Sequence, residues 1–229
     1  MRVLIAGAGF LGQNLGLYLK ALGYEVYFWT DHLPPGQAFL WGAKDCLKAL
    51  SVDWLQRHPL KAVINLKGAS LAQGRWSLQR KKILYDSRLG PTEQLVKQLS
   101  QLKRPPEVFL SASGVGVYGA HPHRVWVEGA VPLALADSGL SLRGFPAVCQ
   151  EKDFLQALAK DWEAQAWQAS RFMRTALLRI APILSPQGGI LKRLLQLARW
   201  GLLSVLGDGL QWISWMSLRD FCHAVLFLI

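Results

Sequence analysis

Short apolar runs alternate along this chain with longer segments whose apolar residues recur every three or four positions. The short runs have the length and composition of buried strands, and they cover residues 2–6, 25–30, 61–68, 107–114 and 174–184. The longer segments have helical spacing, and they cover residues 11–22, 77–102, 151–173 and 190–205. We expect the second of these to divide near Pro91, because a proline removes a helical hydrogen bond. This alternation predicts an α/β protein with a doubly wound parallel sheet.

Composition narrows the class of protein further. The chain has 229 residues, of which 51% are hydrophobic and 18% charged, and this is enough to build one α/β domain with a full core. The net charge of +11 favours anionic partners such as phosphorylated cofactors. The basic residues are scattered, so solubility explains the charge equally well, and we expect no nucleic-acid partner.

Compartment and metal content follow from a few further features. Three cysteines lie far apart without a CxxC motif, which indicates a reducing compartment and no zinc site. The N-terminus lacks the shape of a signal peptide, and no uncharged apolar run is long enough to span a membrane. We therefore expect a cytoplasmic protein without a transmembrane segment. Two loop histidines, His121 and His123, are weak catalytic candidates because nearby histidines on a loop are usually only solvated.

The most specific local motif is a glycine turn, residues 7–12, between the first strand and the first helix. Its sequence Gly7-Ala8-Gly9-Phe10-Leu11-Gly12 fits GxGxxG. In such a motif the first glycine allows a tight turn, the second lets a diphosphate approach the main chain, and the third lets the helix pack on the strand. The sequence therefore predicts a site for NAD or NADP at this turn.

An acidic residue follows the second predicted strand. Asp31 lies 19 positions beyond Gly12, where a carboxylate can accept hydrogen bonds from the adenosine ribose and repel a 2′-phosphate. This favours NAD over NADP, and we expect Asp31→Arg to shift the preference toward NADP. The alternative is an ordinary loop aspartate, because Pro34, Pro35 and Gly36 follow closely.

Several longer motifs together resemble a known family. They are AGAGFLG, INLKGASLAQGRWSLQRKKILYDSR, SASGVGVYG, LLRIAPILSPQGGIL and GDGLQWISWMSLRD, in that order. The chain resembles the extended short-chain dehydrogenase/reductase superfamily, and within it the NAD-dependent epimerase/dehydratase-like branch. The resemblance implies a Rossmann-type NAD(P)-binding domain over residues 1–180. It also implies a small, incomplete substrate lobe over residues 181–229, interleaved with the main fold, because members of the branch continue beyond this chain's end.

The resemblance also assigns residues to the cofactor site. It implies that the glycine turn, including Phe10 and Leu11, carries the phosphates, although Ala6 stands where the family usually has glycine. It implies further that three residues after the fourth predicted strand line the cofactor, namely Asn65, Leu66 and Gly68. Lys67 replaces a small residue of the family in that loop.

The chemistry implied by the resemblance is incomplete in this chain. Ser113 matches the catalytic serine or threonine of the superfamily. The positions of the catalytic Tyr-xxx-Lys pair are occupied by Leu155 and Ala159, which carry no proton to exchange. Tyr118 is then the nearest candidate proton donor, with a packed aromatic as the alternative. Ser217 stands where the family places a histidine.

These features leave more than one function open. The first is an NAD(P)-dependent oxidoreductase or sugar-nucleotide epimerase-like enzyme acting on a carbinol or carbonyl of an unidentified small molecule. The second is a catalytically degenerate dinucleotide-binding sensor or scaffold. The third is binding to a membrane or nucleic-acid surface through the basic helix 190–205, whose apolar face we instead expect to lie on the sheet. A homodimer is left open.

Overall fold

The core of the molecule is a six-stranded parallel sheet. The computed structural model of the chain describes residues 1–30, 46–119, 126, 144–205 and 207–229. The strands are β1 (Arg2–Ala6), β2 (Glu25–Trp29), β3 (Cys46–Leu47), β4 (Ala62–Asn65), β5 (Val108–Gly114) and β6 (Arg174–Ile180). Their order across the sheet is β3-β2-β1-β4-β5-β6, and all the pairs are parallel. This order confirms the predicted doubly wound, Rossmann-type sheet.

Helices follow most of the strands. They are α1 (Phe10–Ala21), α2 (Val52–Arg57), α3 (Leu78–Leu99), α4 (Gly144–Gln150), α5 (Phe154–Trp167), α6 (Gly189–Arg199) and α7 (Leu218–Leu228). Short 3-10 turns follow β5 and α5, at Val115–Tyr118 and Gln168–Arg171. Because all the neighbouring strands are parallel, the carboxyl ends of all six strands meet at one side of the molecule.

Both faces of the sheet are covered. Alternate residues of β1 enter two different cores, with Val3 and Ile5 on one face and Leu4 and Ala6 on the other. The first face is covered by α1 and α7, with Leu15, Leu19, Phe221 and Val225 in the core. The second is covered by α2 and the end of α3, with Leu55, Leu95 and Leu99. Burial on both faces explains why the strands are apolar runs rather than alternating patterns.

The predicted break near Pro91 is absent, and this expectation was wrong. Helix α3 is continuous from Leu78 to Leu99 with Pro91 inside it. Buried residues lie on both sides of the proline, including Leu89 before it and Leu95 after it. Packing of one continuous face against the sheet and α5 outweighs the single backbone hydrogen bond that the proline removes.

Two further segments differ from the prediction. The predicted strand 174–184 divides into β6 and a separate strand β7 (Ile183–Ser185), which pairs in parallel with β8 (Met216–Ser217). Pro182 lies between them and lacks an N–H, although its carbonyl accepts from the amide of Met216 at 3.2 Å. The predicted helix 190–205 ends at Arg199, before Gly201, whose φ of +67° is the left-handed conformation of a helix end.

The apolar face of α6 does not lie on the sheet, contrary to our expectation. None of its residues is buried. Large apolar side chains are exposed on α6 and on the segment after it, among them Ile190, Leu194, Trp200, Trp212 and Trp215. Within the described part of the chain, no helix is long and apolar enough to cross a membrane.

Candidate functional site

The glycine turn joins β1 to α1 in a conformation that only small residues permit. Gly7 has φ of +102°, and its amide donates to the carbonyl of Trp29 at 2.9 Å. A Cβ on Gly12 would lie 2.0 Å from the carbonyl oxygen of Gly7. The helix therefore packs on the start of the turn at a distance that excludes any side chain at position 12, as the GxGxxG motif predicts.

Gly9 is different because its missing side chain faces open space. A Cβ built there has no atom within 4 Å, and Gly9 is exposed. It caps α1 without a side-chain hydrogen bond, and the first turn of the helix has no acidic residue. Main-chain amides at such a helix start favour an anion. The space at Gly9, which a larger residue would fill, thus fits the diphosphate of a dinucleotide.

The other two residues of this motif are half-buried apolar contacts. The ring of Phe10 packs over Gly188, where a Cβ would meet the ring at 2.5 Å. Leu11 joins the core under α1. Phe10 therefore ties the glycine turn to the start of α6, and a cofactor contact by these two residues stays a prediction.

The loop after β4, residues 66–69, lies directly beside the glycine turn. A Cβ on Gly7 would meet the carbonyl of Leu66 and the amide of Lys67 at 3.0 Å, and the amide of Leu66 donates to the carbonyl of Ala6 at 2.8 Å. The side chain of Asn65 turns inward, donating to Thr92 at 2.8 Å and Ser111 at 3.2 Å. The Asn65 side chain therefore holds the loop from the interior of the protein, and it does not point toward the solvent side of the sheet edge.

A buried arginine supports the same loop. Arg88 donates to the carbonyls of Leu84 and Ala69 at 3.0 Å each, and its guanidinium lies 5.3 Å from the ring of Trp162. Burial, followed by repulsion from Arg80, lowers the pKa of Arg88 to about 10. A Cβ on Gly68 would lie 3.0 Å from the Arg88 guanidinium carbon, so a side chain at position 68 would press on this guanidinium.

A second polar site, here named the polar cluster, lies at the carboxyl ends of β5 and β6. It consists of Ser113, Tyr118, Glu163 and Arg179. The Ser113 hydroxyl donates to Glu163 Oε1 at 2.6 Å, and Arg179 donates to both carboxylate oxygens at 2.9 Å. The remaining arm of Arg179 donates to the Tyr118 hydroxyl at 3.3 Å, with its guanidinium 5.1 Å from the ring.

The polar cluster is nearly closed to solvent at its centre. The side chain of Glu163 is 4% exposed and that of Arg179 is 14% exposed. Their paired hydrogen bonds raise the pKa of Arg179. A buried ion pair usually costs more in desolvation than it returns in stability, and this cost favours a role in positioning other groups. Tyr118 is half-buried and stacks on Trp126 at 5.9 Å.

Several predicted residues lie elsewhere or outside the described part of the chain. Asp31, His121 and His123 are outside it. Leu155 packs beside Gly116, and Ala159 is buried in α5, so neither position carries a side chain that can exchange a proton. Ser217 caps α7, its hydroxyl accepting from the amide of Asp220 at 3.0 Å. Among the described residues, no group of three or more His, Cys, Asp or Glu comes together to hold a metal.

Sequence patterns did not identify Glu163, Arg179 or Arg88 as functional candidates. A signal existed for two of them. Arg179 is a charge near the end of the apolar run 174–184, and Glu163 lies among the apolar residues of α5. Buried charges of opposite sign on neighbouring elements point to an ion pair. Their partnership depends on the fold, since Glu163 comes from α5 and Arg179 from β6.

Strand order and glycine turn together have the architecture of the extended short-chain dehydrogenase/reductase class, as the sequence resemblance predicted. A profile of the NAD dependent epimerase/dehydratase family matches residues 3–134, which is more than half of the chain. The chain therefore belongs to the NAD-dependent epimerase/dehydratase family.

Relatives with sequence similarity over the whole chain agree with this. An epimerase family protein of Mycobacterium bovis is 37% identical over 99% of this chain and 68% of its own length. A chloroplastic epimerase family protein of Arabidopsis thaliana is 29% identical over 98% of this chain and 61% of its own. The chain thus spans about two-thirds of the length of these relatives.

Solved structures show the same fold. The human epimerase family protein SDR39U1, crystallised with NADPH, superimposes with a TM-score of 0.72 at 26% identity, covering 99% of this chain and 69% of that one. A UDP-glucose 4-epimerase from Thermotoga maritima, crystallised with UDP-glucose, has a TM-score of 0.68 at 19% identity. The match covers 100% of this chain and 73% of that one. At that identity the second likeness concerns the fold alone.

Proposed function

We propose that this chain is an NAD(P)-dependent enzyme of the epimerase type, acting at a carbinol or carbonyl carbon of a small molecule. The observation that carries the proposal is the polar cluster, which lies on the same sheet edge as the open glycine turn. In a doubly wound sheet, ligands bind along this edge. A dinucleotide with its diphosphate at Gly9 would extend toward Ser113 and Tyr118.

The cofactor half of the proposal rests on fit. Gly9 leaves room for a diphosphate, whereas Gly7 and Gly12 allow the close main-chain packing that shapes the turn, and Leu66 of the β4 loop lies against Gly7. A nicotinamide, when bound, supplies or accepts hydride at the substrate carbon. The human relative that was crystallised with NADPH supports this choice of cofactor.

The proposed acid–base residue is Tyr118. Its oxygen accepts the N–H of Arg179, which leaves the phenolic O–H to donate to a substrate oxygen. A carbonyl substrate takes that proton as it becomes a carbinol, and a carbinol substrate returns it in the opposite direction. The guanidinium stabilises the negative charge that develops on Tyr118 during transfer. This is the task that lysine performs in the superfamily's Tyr-xxx-Lys pair, which is absent here.

Ser113 and Glu163 have separate proposed tasks. The Ser113 hydroxyl donates its own proton to Glu163, so its oxygen is free to accept a hydrogen bond from a substrate hydroxyl. Ser113 therefore orients the reacting group. Glu163 holds both Ser113 and Arg179 in place and is a positioning residue, because its two carboxylate oxygens are already engaged by these neighbours.

The experiment follows hydride transfer from deuterated nucleotide sugars and simple carbinols to NAD⁺ or NADP⁺, detected as deuterium in the nicotinamide. We expect transfer by the wild type and a loss of roughly 10²–10⁴-fold in Tyr118→Phe, with cofactor affinity unchanged. Tyr27→Phe, on the distant strand β2, is the matched control and should retain full activity. Full activity of Tyr118→Phe would contradict the assignment.

A second function is favoured by the apolar contacts of Leu155 and Ala159, which hold no catalytic pair. It is a dinucleotide-binding sensor or scaffold without turnover. The same experiment separates the two, because a sensor binds the cofactor tightly and transfers no deuterium from any substrate of the panel. In that case Tyr118→Phe would leave every measured property unchanged.

A further inference from the structure

Lys67 occupies an unusual position at the sheet edge. It follows β4 by two residues, and its amide donates to the Asn65 side chain at 3.3 Å. Its ammonium nitrogen lies 3.9 Å from the centroid of the Trp29 ring, at the end of β2. Since β1 lies between β2 and β4 in the sheet, with Ala6 paired to both Trp29 and Asn65, the Lys67 side chain crosses the carboxyl end of β1.

The positive charge of Lys67 therefore lies at the end of β2, next to β1 and the glycine turn that follows it. Trp29 is 4% exposed and provides a rigid aromatic surface under the ammonium. Such a cation–π contact holds the lysine side chain in one direction at modest energetic gain. Lys67 itself is half-buried, so its charge is less screened by water than a charge on an extended surface side chain.

The end of β2 has a defined meaning in a doubly wound sheet. The adenosine ribose of a bound dinucleotide lies there, and the side chains at this point distinguish a 2′-hydroxyl from a 2′-phosphate. The diphosphate has a different partner, namely the main-chain amides around Gly9. A lysine ammonium is a compact point charge suited to a phosphate. Because the Lys67 ammonium lies at the end of β2, it is better placed to contact a phosphate on the ribose than to contact the diphosphate.

We propose that Lys67 is a cofactor-specificity residue whose ammonium binds the 2′-phosphate of NADP and shifts the preference of this chain from NAD to NADP. The inference rests on the proposed function, because it requires the dinucleotide to lie along the glycine turn. It opposes the expectation from Asp31, which favoured NAD.

The experiment measures dissociation constants by calorimetry for NADP⁺, NAD⁺, adenosine 2′,5′-bisphosphate and ADP. Lys67→Met keeps the length of the side chain and removes its charge, and Lys67→Arg keeps the charge. The matched control is Lys61→Met, which removes the same charge at the opposite end of β4, where Lys61 pairs with Glu107 at 3.3 Å. This control separates a local contact from the effect of net charge.

We expect Lys67→Met to bind NADP⁺ and the bisphosphate roughly tenfold more weakly than the wild type does, which is the effect of losing one charged hydrogen bond. The dissociation constants of Lys67→Met for NAD⁺ and ADP should differ from those of the wild type by less than about twofold. Lys67→Arg should bind NADP⁺ as the wild type does. The Lys61→Met control should match the wild type for all four ligands, and the NADP⁺ advantage should shrink with added salt.

Three results would overturn the proposal. If Lys67→Met bound NADP⁺ and NAD⁺ more weakly by the same factor, the ammonium would contact the diphosphate. If its affinities for both were unchanged, Lys67 would not contact the cofactor. If it bound NAD⁺ more tightly than the wild type does, Lys67 would obstruct the ribose. In all three the wild type still binds dinucleotides, so the proposed function survives. A wild type that binds neither dinucleotide would refute the proposed function and this inference together.

Discussion

The glycine turn and the polar cluster lie on the same edge of one sheet, but they are built from different material. The turn is contiguous main chain; its shape depends on the absence of side chains at Gly7 and Gly12, and its open space on the absence of one at Gly9. The polar cluster is made of side chains that are 16 to 61 residues apart in its hydrogen-bonded pairs. One half depends on space and the other on charge, so substitutions should damage them in different ways.

The largest effect is expected within the glycine turn itself. Gly12→Ala places a Cβ 2.0 Å from the Gly7 carbonyl oxygen, and α1 cannot move away without exposing the core. We expect a loss of more than about 5 kcal/mol of unfolding free energy, enough to prevent folding. Position 9 lies in the same turn but faces open space. The free energy of unfolding of Gly9→Ala, measured in urea, should therefore lie within about 1 kcal/mol of the wild-type value. Equal stability of the two variants would refute this division.

The polar cluster should lose stability through an unpaired charge. Glu163→Ala leaves Arg179, whose side chain is only 14% exposed, without its carboxylate, and we expect a cost of about 3 kcal/mol in urea unfolding. Replacing both residues, as Glu163→Leu with Arg179→Leu, should recover most of the loss because neither charge remains buried.

The control for this pair is Glu107→Ala. Glu107 is 70% exposed in its ion pair with Lys61, so its removal should change stability by less than about 1 kcal/mol. If Glu163→Ala were as mild as Glu107→Ala, the ion pair of the polar cluster would not be buried in solution.

A smaller effect is expected where the two halves meet, at Asn65. Asn65→Ala removes the hydrogen bonds to Thr92 and Ser111 below the β4 loop. We expect a loss of about 2 kcal/mol in unfolding free energy, together with weaker binding of NADP⁺ because Lys67 is no longer held. Asn14→Ala removes a half-buried side-chain bond in α1 and should cost less than about 1 kcal/mol. A similar cost for both would show that the Asn65 network is not special.

At neutral pH, the smallest effect lies away from the edge, at Cys222 in α7. Burial raises the pKa of this thiol to about 11 from about 9, so the folded protein keeps a proton that the unfolded chain loses. The contribution is complete below pH of about 9 and is lost as the pH rises toward about 11. Urea unfolding across this range should show wild-type stability falling relative to Cys222→Ala. A parallel course for both proteins would contradict a buried thiol.

Most of the fold could be predicted because its signals are local. Strand β1, the glycine turn and the start of α1 each depend on residues adjacent in sequence, and the structure has them within one position of the prediction. Pro91 and the end of helix α6 show the limit. A proline penalty was correctly recognised, but packing of α3 on both sides of it decided the outcome.

Less of the candidate site could be predicted, because its chemistry comes from distant elements. Ser113 and Tyr118 were found through motifs, whereas Glu163 and Arg179 became meaningful only when α5 and β6 were placed side by side. Lys67 was visible as a departure from the family, but its direction toward Trp29 required the strand order. Side-chain partnerships across the sheet carry no local pattern.

Calorimetric titration of NADP⁺ and NAD⁺ into Gly9→Val shows whether the space at Gly9 receives the diphosphate of a dinucleotide. Circular dichroism melting should first show the variant folded like the wild type, because position 9 faces no protein atom within 4 Å. We expect measurable binding by the wild type and none by Gly9→Val. Binding of either cofactor with unchanged affinity by the folded variant would contradict it.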